Sequence, residues 1–535
     1  MGPNNRPDPA PDRDVFTTDQ LKTMDLAQCH FPEICNELKN LYNRICDGKD
    51  LSERGFEAMP RSIGTLPPEL FEQVVQQLSL PDVGNVRLAS RQLATLATQQ
   101  TFKSHIVNKN VRLTKSDLQN LVEFSNPGEL GCLVENLTLT SVAIDTSQLE
   151  KISKQKSRWG TDLNGPSTMS FQDESTHKCT PEEVAKVEDD MRELEDRRWE
   201  YIVLKETGVY SGLLTKAFRN LAANGKRNRL RSLTLDVVVL REDAVTEKSP
   251  EHGGGWKIIW EAASECFSIA MTSLADSKLR VDELDLFNST YRCSLGSNSF
   301  MEIETYAKEL APSLRDMKSL SFSHVDRLLT ESELRGPIDE LQALTYQHAN
   351  LNGLARLIGL SPGLESLQIH WYSTYACRYR DDIDVDDTQL IKTLAQTAAL
   401  PCLKTLILRG VRVTEKELLA LVRSAPIQKF SMENVHMEEG TFQSVFDHCT
   451  SNQAAIQKLF FDDIWERKLI IFEGEGKMKI PWGLPRRGGQ TLEREGEAVK
   501  TPIRYLFFPT GRMKGSHEAY EWRDRRHREY GPPGE

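Results

Sequence analysis

The densest chemistry in the sequence is acidic. Asp381, Asp382, Asp384, Asp386 and Asp387 crowd one short stretch, a composition suited to hard, oxygen-seeking cations such as calcium. The calcium-loop pattern then fails. Asp387 stands where the loop needs glycine for its turn, and Thr393 stands where it needs a bidentate glutamate. Gly253-Gly254-Gly255 has no following Lys-Ser/Thr pair, so it lacks the parts of a phosphate loop and reads as a flexible joint. His448-Cys449 has no third partner. The ten cysteines include no Cys-x-x-Cys pair and no zinc spacing. Neither a Gly-x-Ser-x-Gly elbow nor a His-Glu-x-x-His motif is present. The expectation is a protein without catalytic residues, metal or cofactor, whose work is binding.

Charge narrows the partners. The chain has 535 residues, with 67 basic and 78 acidic side chains and a net charge of −11. A general nucleic-acid binder needs a basic surface to neutralise phosphates, so nucleic acid is not expected. No apolar run approaches the ~18 residues that span a bilayer. The opening MGPNNRPDPAPDRD lacks the apolar core of a signal peptide. These features predict no membrane partner and a cytoplasmic and/or nuclear location, where cysteines serve as small buried apolar residues.

The elements that would position a binding surface begin at Leu66. The stretch LPPELFEQVVQQLSLPDVGNVRLASRQLATLATQQTFKSHIV contains two Leu-Pro steps, Leu66-Pro67 and Leu80-Pro81. Proline pushes its predecessor out of the α region and suits the first turn of a helix. Two helix starts are therefore predicted. Leu70, Phe71, Val74, Val75 and Leu78 form one apolar stripe, and Val86, Ala89, Leu93, Leu96 and Ala97 form another. Gly84-Asn85 is expected to loosen the chain between them. About forty residues bury little surface alone, so the unit needs a partner.

On these residues the segment resembles an F-box, the motif that docks substrate receptors onto the adaptor subunit of cullin-RING ubiquitin ligases. The resemblance lies in Leu66-Pro67 with Glu69 and Leu70, in Val74 and Leu78, in Leu80 to Asp82, and in the Leu88 to Leu96 stripe with Arg91. Ser90 and Leu93 depart from it, standing where the family carries a Cys-x-x-Trp-like pair. The resemblance implies adaptor contacts at Leu66, Pro67, Leu70, Val74, Leu78, Pro81 and Leu88.

Beyond this segment one pattern recurs, apolar-x-x-apolar-x-apolar. It appears at Val134-Leu137-Leu139, Leu230-Leu233-Leu235, Val281-Leu284-Leu286, Met317-Leu320-Phe322, Leu341-Leu344-Tyr346, Leu364-Leu367-Ile369, Leu403-Leu406-Leu408, Ile427-Phe430-Met432 and Ile456-Leu459-Phe461. Helical stretches lie between many of these, over 353–360, 388–399, 414–424 and 438–449. Helices are also predicted over 180–205, 210–223 and 256–274. The alternation resembles the leucine-rich repeat family. That resemblance implies a solenoid whose stacked units share one core, with strands on the concave face and helices outside. Residues between the inward apolar ones would then face a partner. Most are small or polar. Phe287, His370, Trp371, Tyr372, Arg409 and Phe460 are of the types that make binding hot spots, so they are the expected substrate-binding residues. The alternative for His370 to Tyr372 is packing beneath the segment 373–387.

The fold expectation is an α/β chain: a short helical F-box, an irregular leucine-rich-repeat-like solenoid and a C-terminal β-hairpin cap. Its parts are an N-terminal, partly disordered or helical segment (1–62), the F-box (63–107), the repeat domain (108–465, with insertions near 150–210 and 241–256) and the hairpin with a charged tail (466–535). The hairpin is read from Lys468 to Phe472, a Gly-containing turn, and Lys477 to Ile480, with Arg504 to Phe508 pairing alongside or closing the array. The function implied is the substrate-recognition subunit of an SCF-type cullin-RING ligase. Its partners would be the adaptor and a protein substrate of unknown identity. The alternative is a non-ligase leucine-rich-repeat scaffold whose helical segment is only a cap.

Overall fold

Strand order in this protein follows chain order. The computed structural model describes residues 66–508, apart from 128–129, 160–175, 225–227, 251–255, 292, 326–347, 373–387, 398–399 and 475–487. Four short helices come first: α1 (Pro68–Val75), α2 (Leu80–Ala89), α3 (Arg91–Ala97) and α4 (Gln100–Val107). They lead into β1 (Asn108–Arg112), α5 (Lys115–Phe124) and β2 (Asn136–Ile144). An inserted stretch follows, with α6 (Ser147–Gln155), an antiparallel pair β3 (Ser157–Trp159) and β4 (Thr176–Lys178), α7 (Pro181–Glu206) and α8 (Val209–Asn224).

Next come β5 (Arg229–Leu240), β6 (Glu247–Lys248), α9 (Trp256–Ser277), β7 (Arg280–Leu286), β8 (Leu295–Gly296), α10 (Ile303–Leu314) and β9 (Ser319–Val325). They are followed by α11 (His348–Gly359), β10 (Ser366–Tyr372), α12 (Gln389–Thr397), β11 (Thr405–Arg409), β12 (Arg412–Thr414), α13 (Glu415–Arg423), β13 (Lys429–Glu433), β14 (His436–Glu439), α14 (Gln443–Thr450) and β15 (Lys458–Asp462). The last strands are β16 (Trp465–Glu466), β17 (Lys468–Glu473), β18 (Gly488–Gly489), β19 (Thr491–Glu495) and β20 (Tyr505–Phe507).

The main sheet runs β1-β2-β5-β7-β9-β10-β11-β13-β15-β19. Pairings along it are parallel up to β15, and β19 closes the row antiparallel. Helices α5, α8, α9, α10, α11, α12, α13 and α14 stand side by side in the same order and form a second layer. Every apolar template among the described residues lies on or leads into one of these strands, and its apolar members are buried. Leu341-Leu344-Tyr346 lies outside the described residues, and β9 pairs directly with β10, Leu320 opposite Leu367.

Local signals explain several element ends. Thr180 and Glu183 form a reciprocal capping box at α7. Thr114 and Thr414 accept from the backbone three residues on, at Asp117 (3.2 Å) and Glu417 (3.3 Å), a cap that contributes roughly 1 kcal/mol. Trp260, Ala263, Phe267, Ala270, Met271 and Leu274 form the buried stripe of α9.

Three expectations change. Ser90 does not continue a helix. It is extended and caps α3 by accepting from Leu93 N at 3.1 Å, so the Val86–Ala97 stripe is split between α2 and α3. Gly84-Asn85 lies inside α2. Glu438 and Glu439 belong to strand β14, and only Gln443 onwards is helical. At the C-terminal end, the expected pairing of Arg504 to Phe508 alongside Lys468 to Phe472 is present as β17 with β20; β17 also pairs with β18, and the other expected partner, Lys477 to Ile480, lies outside the described residues. Together with β12, β14 and β16 these strands make a second, six-stranded sheet that the sequence did not announce.

Several strands of the main sheet end on a left-handed residue: Phe287 after β7, Gly410 after β11, Asn434 after β13 and Asp463 after β15. At Gly410 (φ +72°) a Cβ would lie 2.1 Å from the carbonyl oxygen of Trp371. Gly410→Ala combines that clash with the left-handed penalty and is expected to cost on the order of 3 kcal/mol or more. Gly359, where a Cβ meets nothing within 4 Å, is the control, and its alanine variant is expected to be neutral or slightly stabilising. Urea denaturation of the two variants checks the contrast.

Candidate functional site

Two surfaces have the make-up of binding sites. The first is the helical unit α1–α4. Its core is Leu66, Phe71, Val74, Val75, Val83, Val86, Ala97, Phe102 and Ile106, with Phe124, Leu130 and Leu133 of the following domain packed against it. Polar contacts tie the helices together. Thr101 N donates to the Glu72 carboxylate at 2.6 Å, Gln99 donates to the Pro68 carbonyl at 3.1 Å, and the Arg87 guanidinium lies 3.9 Å from the centre of the Phe102 ring.

This arrangement divides the predicted adaptor residues. Leu66 (5 % exposed) and Val74 (2 %) are core residues of the unit, which corrects their assignment to a docking edge. The i, i+4 stripe that marks a docking face also marks a core, so the sequence could not separate them. Leu78 is half-buried against the same core. Pro81 sits in the first turn of α2. Pro67, Leu70 (38 % exposed) and Leu88 (63 %) lie on the surface. Leu70 and Pro67 at the start of α1, and Leu88 near the end of α2, are thus exposed apolar residues on a unit whose own core is filled.

The second surface is the open face of the main sheet. Register places two rows of interest across it. The middle row is Thr138, Thr234, Asp285, Ser321, Gln368, Ile407, Ser431 and Phe460. The row at the strand ends contains Ser323, His370, Arg409, Glu433 and Asp462. Most of the middle row consists of small polar side chains, and Ile407 and Phe460 stand out among them, both half-exposed. Arg409 is beside them and pairs with Glu433 at 2.9 Å. Burial raises the Asp285 carboxyl above the ordinary carboxylate range, opposed by hydrogen bonds from Ser289, Asn288 and Ser321.

Four predicted substrate residues are corrected. Phe287, His370, Trp371 and Tyr372 are all buried. Phe287 has φ +61°, and its ring lies in the core beneath the sheet. Trp371 alternates to the opposite side from His370 and stacks on His324, with ring centres 4.4 Å apart. The His370 and Tyr372 rings lie 4.0 Å apart. Burial lowers both histidines, His324 to about 3 and His370 well below the ordinary value, with Arg409 adding to the second. Arg409 and Phe460 keep their predicted places on the face.

The sequence reading missed a row on the second sheet, Arg412, His436 and Trp465, in register on β12, β14 and β16. The His436 and Trp465 rings are stacked 5.7 Å apart and nearly parallel, at 5°. The signal was present as Gly410-Val411-Arg412, Asn434-Val435-His436 and Asp463-Ile464-Trp465. Each triplet has a left-handed residue, a buried β-branched residue and a planar side chain.

A charge row at the strand starts was missed as well. Glu135, Arg231, Asp282, Lys318, Glu365 and Lys404 lie on neighbouring strands in that order, with alternating sign. Lys404 pairs with Glu365 at 2.7 Å and Lys318 with Glu365 at 3.7 Å. Opposite charges on adjacent strands favour this register over a slipped one.

Among the described residues no group of histidines, cysteines and acids could hold a metal ion, and no helix is long and apolar enough to cross a membrane. The acidic run 381–387 lies outside the described residues. Comparison of the chain with models of known protein families and with curated proteins finds no match.

Proposed function

We propose that this chain is the substrate-recognition subunit of an SCF-type cullin-RING ubiquitin ligase, with α1–α4 as the F-box and the strand-and-helix array as a leucine-rich-repeat-like solenoid. The observation that carries the reading is the division within α1–α4. The unit closes its own core around Leu66 and Val74 yet leaves Pro67, Leu70 and Leu88 at the surface. Such a receptor does no chemistry. It holds adaptor and substrate on one rigid body and raises their effective concentration. The cytoplasm and nucleus are the compartments this role implies.

Substrate would lie on the open face around Ile407, Arg409 and Phe460, the half-exposed aliphatic, cationic and aromatic groups there. Co-purification with the adaptor is the primary test, and failure of the wild-type chain to retain it would overturn the proposal. On the substrate side, Arg409→Ala with Phe460→Ala is expected to lower substrate recovery at least tenfold while adaptor recovery holds, read by quantitative pull-down. Equal substrate recovery would remove this face from the assignment. Trp371→Ala does not make the same test, because that ring is core and its loss is expected to cost roughly 3–5 kcal/mol of stability.

A further inference from the structure

The inserted helix α7 (Pro181–Glu206) is apolar on two sides near its end. Its inner side is covered: Val187 and Leu194 are buried against Leu149 of α6 and Leu240 of β5, and Tyr201 meets Tyr210 of α8 and donates to Glu265 of α9 at 2.8 Å. Its outer side carries Trp199, 68 % exposed, and Val203, 39 % exposed, one turn apart, with Ile202 half-buried beside them. The sequence here is WEYIVL, five apolar residues in six. Only these last turns of α7 are apolar on both sides, and the fold covers one side.

The charges flanking this patch suit a second copy of the same helix. In an antiparallel pair crossing at Trp199, a residue seven before that point lies level with the residue seven after it on the partner. Those residues are Arg192 and Glu206, so two opposite-charge pairs form, one on each side of the crossing. Among the described residues Arg192 pairs with Asp189 alone, at 3.0 Å with both side chains largely exposed, an ion pair of little worth in water. Glu206 has no ion pair among the described residues. We propose that α7 is a self-association surface, on which two copies of this chain meet through an isologous antiparallel helix pair centred on Trp199. The apolar area is small, so the dimer is weak and concentration-dependent.

Sedimentation equilibrium of the full chain between about 1 and 100 µM, a range that brackets a micromolar dissociation constant, tests this. The expected result is an average mass rising from 60.7 kDa toward twice that value. Trp199→Glu is expected to hold the chain monomeric throughout, with an unchanged denaturation midpoint because the side chain is exposed. Arg192→Glu and Glu206→Arg are each expected to weaken association at least threefold, and the two together to restore it. A wild-type chain that stays monomeric at 100 µM, a Trp199→Glu chain that still dimerises, or a double variant no better than the singles would overturn the proposal. None of these readouts involves the adaptor, so the outcome is independent of the ligase reading.

Discussion

Replacing Leu70 and Leu88 together with aspartate is expected to abolish adaptor capture while leaving the stability of the chain within about 0.5 kcal/mol of wild type, because both side chains already face water. Val74→Asp is expected to behave differently. Val74 is 2 % exposed in a small core, and an unpaired carboxylate there costs on the order of 4 kcal/mol or more. That exceeds what so small a unit can supply by itself. Adaptor capture would then be lost through unfolding of α1–α4, visible as new protease sensitivity near residue 74. The pair of variants separates a docking edge from a fold requirement. Leu78→Asp alone does not, since Leu78 is half-buried against the core and would do some of both. If the surface double variant retained the adaptor in full, the exposed edge would have no role in docking and the receptor reading would lose its structural support.

The second large effect is on acid stability. His324 is fully buried, lies between the Phe300 and Trp371 rings with centres 5.8 Å and 4.4 Å away, and neither ring nitrogen has a hydrogen-bond partner among the described residues. Burial alone lowers it to about 3, against about 6.5 in an unfolded chain. The folded state therefore keeps His324 neutral while the unfolded state takes up a proton. The stability this protects is present in full above pH 6.5 and falls as pH drops from 6.5 toward 3. At pH 5 the loss from this residue is about 2 kcal/mol, at 1.36 kcal/mol per pH unit. His370, lowered in the same direction, adds to it. His324→Phe keeps an aromatic ring in the stack and removes the titration. Urea denaturation at pH 7.5 and pH 5.0 should show the wild type losing about 2 kcal/mol more than this variant across the interval. Equal losses would mean that the buried imidazole is not the acid-sensitive group.

How far the sequence foretold this molecule depends on which interaction decided each residue. The strands were legible because a buried face repeats its demand for leucine at fixed spacing, as in LRSLTL over 230–235 and LKTLIL over 403–408. Helix starts were legible where a threonine cap or a proline marks them, as at Thr180-Pro181. The break at Ser90 escaped because an apolar stripe continues across it, and the cap that interrupts the stripe is a single hydroxyl. Phe287 escaped because an aromatic residue at φ +61° is unfavourable locally and is held there by its surroundings. His370 to Tyr372 misled for a related reason. The last residues of β10 are buried on both faces, so alternation no longer distinguishes inside from outside. The row Glu135 to Lys404 is invisible along the chain, since its members are neighbours only across strands.

One consequence of the chain-ordered sheet concerns synthesis. Each parallel strand up to β15 pairs with the preceding strand of the row, so the array can be laid down unit by unit as the chain leaves the ribosome, the longest wait being for the inserted stretch between β2 and β5. The antiparallel strand β19 breaks that order. It covers the far side of β15 only after residue 491 has been made. Until then the edge from Lys458 to Asp462, with Phe460 and Phe461 at its centre, has unpaired backbone groups and is open to another nascent chain. A truncation before Thr491 is thus expected to replace the charged outermost strand Thr491–Glu495 by the apolar edge of β15 and to promote association of the truncated chain.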